Sequence, residues 1–141
     1  LAAALAEGVE QPPVRERATP TIAASIGAAQ GTYQGVQALR ASNGLAMFIE
    51  DEAMLTWQEK LARAEGIWAE PSAAATLPAI ERLRTQGIIE SNAKVVALMT
   101  AGGLKDPDAA NRRLGALPSA KGNVDDAVRV LREAYGFDAG K

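Results

Sequence analysis

The chain has 141 residues, 48% hydrophobic and 23% charged, with a net charge of −2; this is enough for one domain with a real core or a large part of a bigger one. It contains no histidine and no cysteine, so its own residues build neither a Ser-His-Asp nor a Cys-His triad, nor a Cys/His zinc site, nor a disulfide. No run reaches the roughly 18 uncharged apolar residues of a membrane helix, and neither the net charge nor the scattered basic residues, Arg112-Arg113 included, form a nucleic-acid footprint.

Residues 1–18 open with the alanine-rich stub "LAAALAEG", too short and wrongly flanked for a signal peptide. In "VEQPPVRERA" the pair Pro12-Pro13 disfavours helix, and the segment is expected to be an extended connector. "TIAASIG" (21–27) is a short apolar stretch, a strand or a packed loop, closed by glycine. "GTYQGVQALRASNG" places Tyr33, Val36, Leu39 and Arg40 at helical spacing, with Ser42-Asn43-Gly44 as the stop. "LAMFIE" (45–50) has strand length. A helix is expected from Asp51, read as its N-cap, to Gly66, with a buried stripe of Met54, Trp57 or Gln58, Leu61, and Ala64 or Ala62.

The next helix, 71–86, starts with Pro71 at a favourable first position. Pro78 should remove one of its hydrogen bonds, at a cost of about 3 kcal/mol or a kink, and Gly87 ends it. "AKVVALMT" (93–100) is continuously apolar after Lys94, as a strand buried on both faces would be. "DPDAANRRLG" and "NVDDAVRVLREAYG" read as two further helices, the second capped by Asn123.

Strand-length segments alternate with helices, which predicts an open, mainly parallel α/β sheet with helices on both faces. Ligands of such sheets bind outside the carboxyl ends of the strands. That places Thr100, Ala101, Gly102 and Gly103 of "MTAGGLKDP" where a ligand would sit. Two glycines after a strand also suit a tight turn, and this is not the dinucleotide fingerprint.

The chain resembles the carboxyl-terminal part of threonine synthase and its fold-type II pyridoxal-phosphate relatives. The resemblance rests on Glu65-Gly66-Ile67 with Glu70-Pro71-Ser72-Ala73-Ala74, on Thr100 to Asp106, on "TIAASIG" and on "ALRASNGLAMFIEDEAML", in the family's order over roughly residues 19–107. It implies pyridoxal 5'-phosphate as cofactor, a small amino-acid substrate and a homodimer, with residues 19–120 belonging to the large cofactor domain and 121–141 forming a terminal helix and tail; the absence of cysteine fits a cytoplasmic location. Thr100 matches the hydroxyl residue at the cofactor's ring nitrogen. Glu70 matches an acid near the ring, though a carboxylate at a helix start is stabilised there in any case. Ile22 and Ala23 would wall the ring, and Gly102 and Ala101 would line it. Ala101 departs from the family's glycine. Ser72 is read as a cap or packing residue and Lys105 as half of an ion pair.

The family's Schiff-base lysine and glycine-rich phosphate loop lie in its amino-terminal half. None of Lys60, Lys94, Lys105, Lys121 and Lys141 matches that lysine, so the chain is expected to be a fragment, inactive alone. The resemblance implies a lyase that converts O-phosphohomoserine and water to threonine and phosphate. A threonine or serine dehydratase, or another β-eliminating relative, is the alternative within the family. A non-catalytic α/β module is the alternative outside it.

Overall fold

The computed structural model describes residues 1–14, 20–109 and 118–137. Contacts divide the chain into two units, residues 1–109 and 110–141. In the first unit α1 spans Ala2–Ala6, α2 Tyr33–Ala41, α3 Asp51–Glu65, α4 Pro71–Ala74 and α5 Thr76–Thr85. Two 3-10 turns, Ala24–Ile26 and Gly103–Lys105, punctuate the loops. In the second unit α6 spans Val124–Tyr135.

The helix ends follow local chemistry. Thr32 Oγ1 caps α2 by accepting a hydrogen bond from Gly35 N at 3.1 Å, and Asn123 Oδ1 caps α6 from Asp126 N at 2.8 Å. α3 stops at Gly66, whose φ of 69° is left-handed and strained for any residue with a Cβ. The stretch expected as a single helix over 71–86 is broken at Ala75 into α4 and α5. Pro78 explains the break. The split puts it third in α5, within the first turn, where backbone N–H groups have no intrahelical acceptor and its missing proton leaves no bond unmade.

Two expectations about α3 need correction. The N-cap position belongs to Glu50, which makes no side-chain cap; Asp51 is the first helical residue and its carboxylate is used elsewhere. The expected stripe holds at Met54 and, of its two alternatives, at Gln58; Leu55 is added to it, while Trp57, Leu61 and Ala62 are half-buried and Ala64 is exposed. Leu55 joins the stripe because α4 and α5 both pack on this helix. Met54 and Leu55 form the core with Ile22, Ala23, Ala75 and Ala109, and Ile49 packs against it. Of the two readings of "TIAASIG", the packed loop is the one found.

Within the first 18 residues the alanine stub forms α1, while residues 9–14 around the proline pair are not helical. The helix expected in 106–115 lies largely outside the described residues, as do Arg112 and Arg113. Residues 45–50 and 93–100 have no regular secondary structure, and no strand ladder forms among the described residues. Several of their large apolar side chains stand in solvent, Phe48 at 76% and Val96 at 87% exposure, while Ile49 packs against the core. Arg82 ties the first of these segments to α5, donating to Phe48 O at 3.0 Å and to Glu50 Oε2 at 2.6 Å.

Candidate functional site

The loop between α3 and α4 and the "TAGG" loop meet backbone to backbone. Glu70 N donates to Ala101 O at 3.0 Å and Gly103 N donates to Trp68 O at 2.8 Å. These bonds flank an isolated antiparallel bridge between Ala69 and Gly102. Thr100, Ala101 and Gly102 are thereby held beside Glu70, although thirty residues of chain separate them.

The two glycines differ in what they allow. A Cβ on Gly103 would collide with the Trp68 indole, so this position requires glycine for close approach. A Cβ on Gly102 would meet only Trp68 O, at 3.9 Å, and that face of the loop is open. The tight-turn reading of "GG" therefore holds for Gly103, which starts a 3-10 turn.

Glu70 is 4% exposed. It occupies the N-cap position of α4, yet its carboxylate makes no cap; Glu70 Oε2 instead lies 3.5 Å from Lys105 Nζ. The ion-pair reading of Lys105 thus has its partner, and Glu70 does stand at a helix start, though without a side-chain cap. Glu70, Pro71 and Ser72 form one wall of a cleft of about 200 Å³. Ile22, Ala24 and Ser25 form a second wall, and Lys105 and Asp106 a third. Ala23 is buried in the core directly behind the second wall. Thr100 is exposed, and its hydroxyl makes no hydrogen bond among the described residues. The turn backbone does not use it.

Two residues of this arrangement escaped the sequence reading. Gln58, 2% exposed, donates from Nε2 to Ala69 O at 2.6 Å. Asp51 accepts from Thr21 Oγ1 at 2.5 Å and from Ile22 N at 3.0 Å. Both lie on α3, and the only sign of Gln58 in the sequence was its place in the apolar stripe.

A larger, open groove of about 510 Å³ runs between α3 and α5. It uses the opposite face of α3, where Trp57 Nε1 donates to Glu81 and Lys60 stands over the Trp57 ring at 4.6 Å. None of the sequence-predicted site residues lines it. No cluster that could hold a metal occurs among the described residues, and no helix among them is long and apolar enough to cross a membrane.

Residues 1–101, which contain both the Glu70 wall and Thr100, match the family model described as "Pyridoxal-phosphate dependent enzyme". This chain belongs to that family. Among curated family members, a threonine synthase from Methanocaldococcus jannaschii is 32% identical over 121 residues, which is 86% of this chain and 30% of the relative. A threonine synthase from Mycobacterium leprae is 33% identical over 121 residues, 86% of this chain and 33% of the relative. One from Methanosarcina acetivorans is 37% identical over 89 residues, 63% and 22% of the two chains. The chain spans about a third of the length of the first two relatives.

The residues present suit a pyridoxal-phosphate ring. The cleft is small, walled by apolar Ile22 and Pro71, with the buried Glu70 carboxylate paired to the exposed Lys105 ammonium at its edge. Thr100, Ala101 and Gly102 do not line the cleft themselves; they lie on the loop paired with Glu70, where the Gly102 face is open and the Thr100 hydroxyl makes no hydrogen bond among the described residues.

Proposed function

We propose that this chain supplies the ring-nitrogen side of the cofactor pocket in a pyridoxal-phosphate lyase that resembles threonine synthase and converts O-phosphohomoserine and water to threonine and phosphate. The Thr100 hydroxyl, which makes no hydrogen bond among the described residues and whose loop is paired with that of Glu70, is the observation that carries this reading. Family membership and the threonine synthase relatives support it. When bound, the cofactor draws electrons from the bonds at the α-carbon of an amino acid. Thr100 donates to the ring nitrogen; being neutral, it holds the ring without putting a full positive charge on it. Ile22, with Ala23 behind it, sets one wall, Glu70 with Lys105 the other, and Ala101 and Gly102 border the ring. The working enzyme is a cytoplasmic homodimer on this reading, with its cofactor-bearing lysine on the part of the fold that faces these walls.

The same reading makes residues 94–100 a parallel strand of an open α/β sheet with helices on both faces. Exposed Val96 and Leu98 support it, because a continuously apolar segment gains by leaving water only when neighbouring strands satisfy its backbone. The domain division at 120/121 belongs to the same proposal.

Thr100→Val in the full-length enzyme tests the assignment. It removes the donor while keeping size and β-branching. An acceptor left unpaired in a closed site costs about 1–3 kcal/mol, or roughly five- to hundredfold in turnover, with the cofactor still bound. Phosphate release from O-phosphohomoserine and thermal melting are measured on the same preparation. Unchanged turnover would remove Thr100 from the pocket. Deamination of serine or threonine without phosphate release would move the enzyme to the dehydratase branch.

A further inference from the structure

The cleft walls come from distant parts of the chain, residues 21–25 and 68–72, and both are pinned to one helix. Asp51 receives the first wall through Thr21 Oγ1 and Ile22 N, at 2.5 and 3.0 Å. Thr21 Oγ1 in turn accepts from Ala23 N at 3.2 Å, so the carboxylate organises three consecutive residues. Gln58 holds the second wall through Ala69 O at 2.6 Å. From Ala69 the linkage continues through its neighbours: Trp68 O accepts from Gly103 N and Glu70 N donates to Ala101 O, which carries the restraint to Thr100.

Asp51 and Gln58 are seven residues apart on α3. Two helical turns put them on one face, with a separation along the axis of roughly 10.5 Å. An α-helix is stiff along its axis, so this spacing becomes the spacing of the walls. Gln58 is almost fully buried yet polar, a costly choice at a core position unless its bond is used. Asp51 forgoes capping its own helix to hold a loop thirty residues away. Neither residue lines the cleft.

We propose that α3 is the gauge of the cofactor pocket: Asp51 and Gln58 are positioning residues that set the distance between the Ile22–Ala23 wall and the Glu70–Thr100 wall. This inference rests on the reading that the cleft takes pyridoxal phosphate.

The test uses the full-length, cofactor-loaded enzyme with Asp51→Asn, Gln58→Met, Thr21→Val and Thr21→Ser. Asp51→Asn keeps an acceptor for Thr21 but can turn an amide toward Ile22 N, which then has no acceptor. Gln58→Met keeps length and removes the donor. The readouts are circular dichroism of the bound cofactor, kcat and KM taken separately, and melting temperature. Displaced walls change the cofactor's circular dichroism and lower kcat by roughly ten- to a hundredfold, since a 1 Å misplacement can cost about a hundredfold. KM moves less. Thr21→Val should share the defect and Thr21→Ser should restore the wild-type spectrum; this pair sits at a half-buried position and remains readable if Gln58→Met does not fold. Wild-type cofactor dichroism and kcat in Asp51→Asn and Thr21→Val, with only earlier melting, would overturn the proposal. A wild-type enzyme that takes up no pyridoxal phosphate would overturn this and the functional reading together. A cofactor spectrum that responds to Asp51→Asn but not to Thr100→Val would overturn only the Thr100 assignment and leave the gauge standing.

Discussion

Residues 66–75 and residues 93–98 each carry a single charged side chain, Glu70 and Lys94, among largely small or apolar neighbours. The first segment is buried from Ala69 through Ala75, polar Glu70 and Ser72 included. The second leaves Val95, Val96 and Leu98 in solvent. Apolarity does not decide between them; backbone partners do. The 68–70 backbone has Ala101, Gly103 and Gln58 to bond with, so it can leave water at little cost. The 93–98 backbone has no ladder beside it among the described residues. The candidate site therefore lies where a loop, rather than an apolar run, found its hydrogen bonds.

The comparison breaks most sharply at the core beneath the buried region. Met54, 2% exposed among Ile22, Ala23 and Ala75, should cost about 2–5 kcal/mol when changed to alanine. Denaturant unfolding measures it, and a loss below about 1 kcal/mol would show that this cluster is not the core. Gly103→Ala comes next. Its methyl group must displace the Trp68 ring, and overpacking of this kind costs about 1–3 kcal/mol. Trp68 fluorescence should shift along with melting, whereas Gly102→Ala should move neither appreciably.

Phe48→Ser probes the other side of the comparison. At 76% exposure it should change stability by no more than about 0.5 kcal/mol. A cost of roughly 3–5 kcal/mol, that of truncating a buried aromatic, would mean that sheet neighbours cover Phe48 in the full-length enzyme. The result thus sharpens the sheet proposal as well. The smallest effect concerns Glu50, next to Phe48. The hydrogen bond from Arg82 holds its carboxyl below the ordinary value of 4.5. A carboxylate whose value is lowered by folding stabilises the protein above the unfolded value, and that stability fades as pH falls through the folded one. Wild type should lose its small margin over Arg82→Gln as pH drops below about 4.5, seen as converging melting temperatures.

Helix boundaries were legible because they depend on neighbours within four residues. Asn123 begins α6, Gly66 ends α3, and Pro78 disturbs the 71–86 helix, each through its own backbone chemistry. The family was legible as well: "EGIWAEPSAA" and "TIAASIG", on which the resemblance rests, lie within the matched residues 1–101. Other features depended on partners far along the chain. No local rule sends Asp51 to Thr21 and Ile22 rather than to its own helix start, or buries Gln58 against Ala69. The need for glycine at position 103 likewise arises only once the Trp68 ring lies against it. Periodicity and capping act along the chain and can be read from it, whereas a buried hydrogen bond or a close approach exists only between surfaces that folding has brought together.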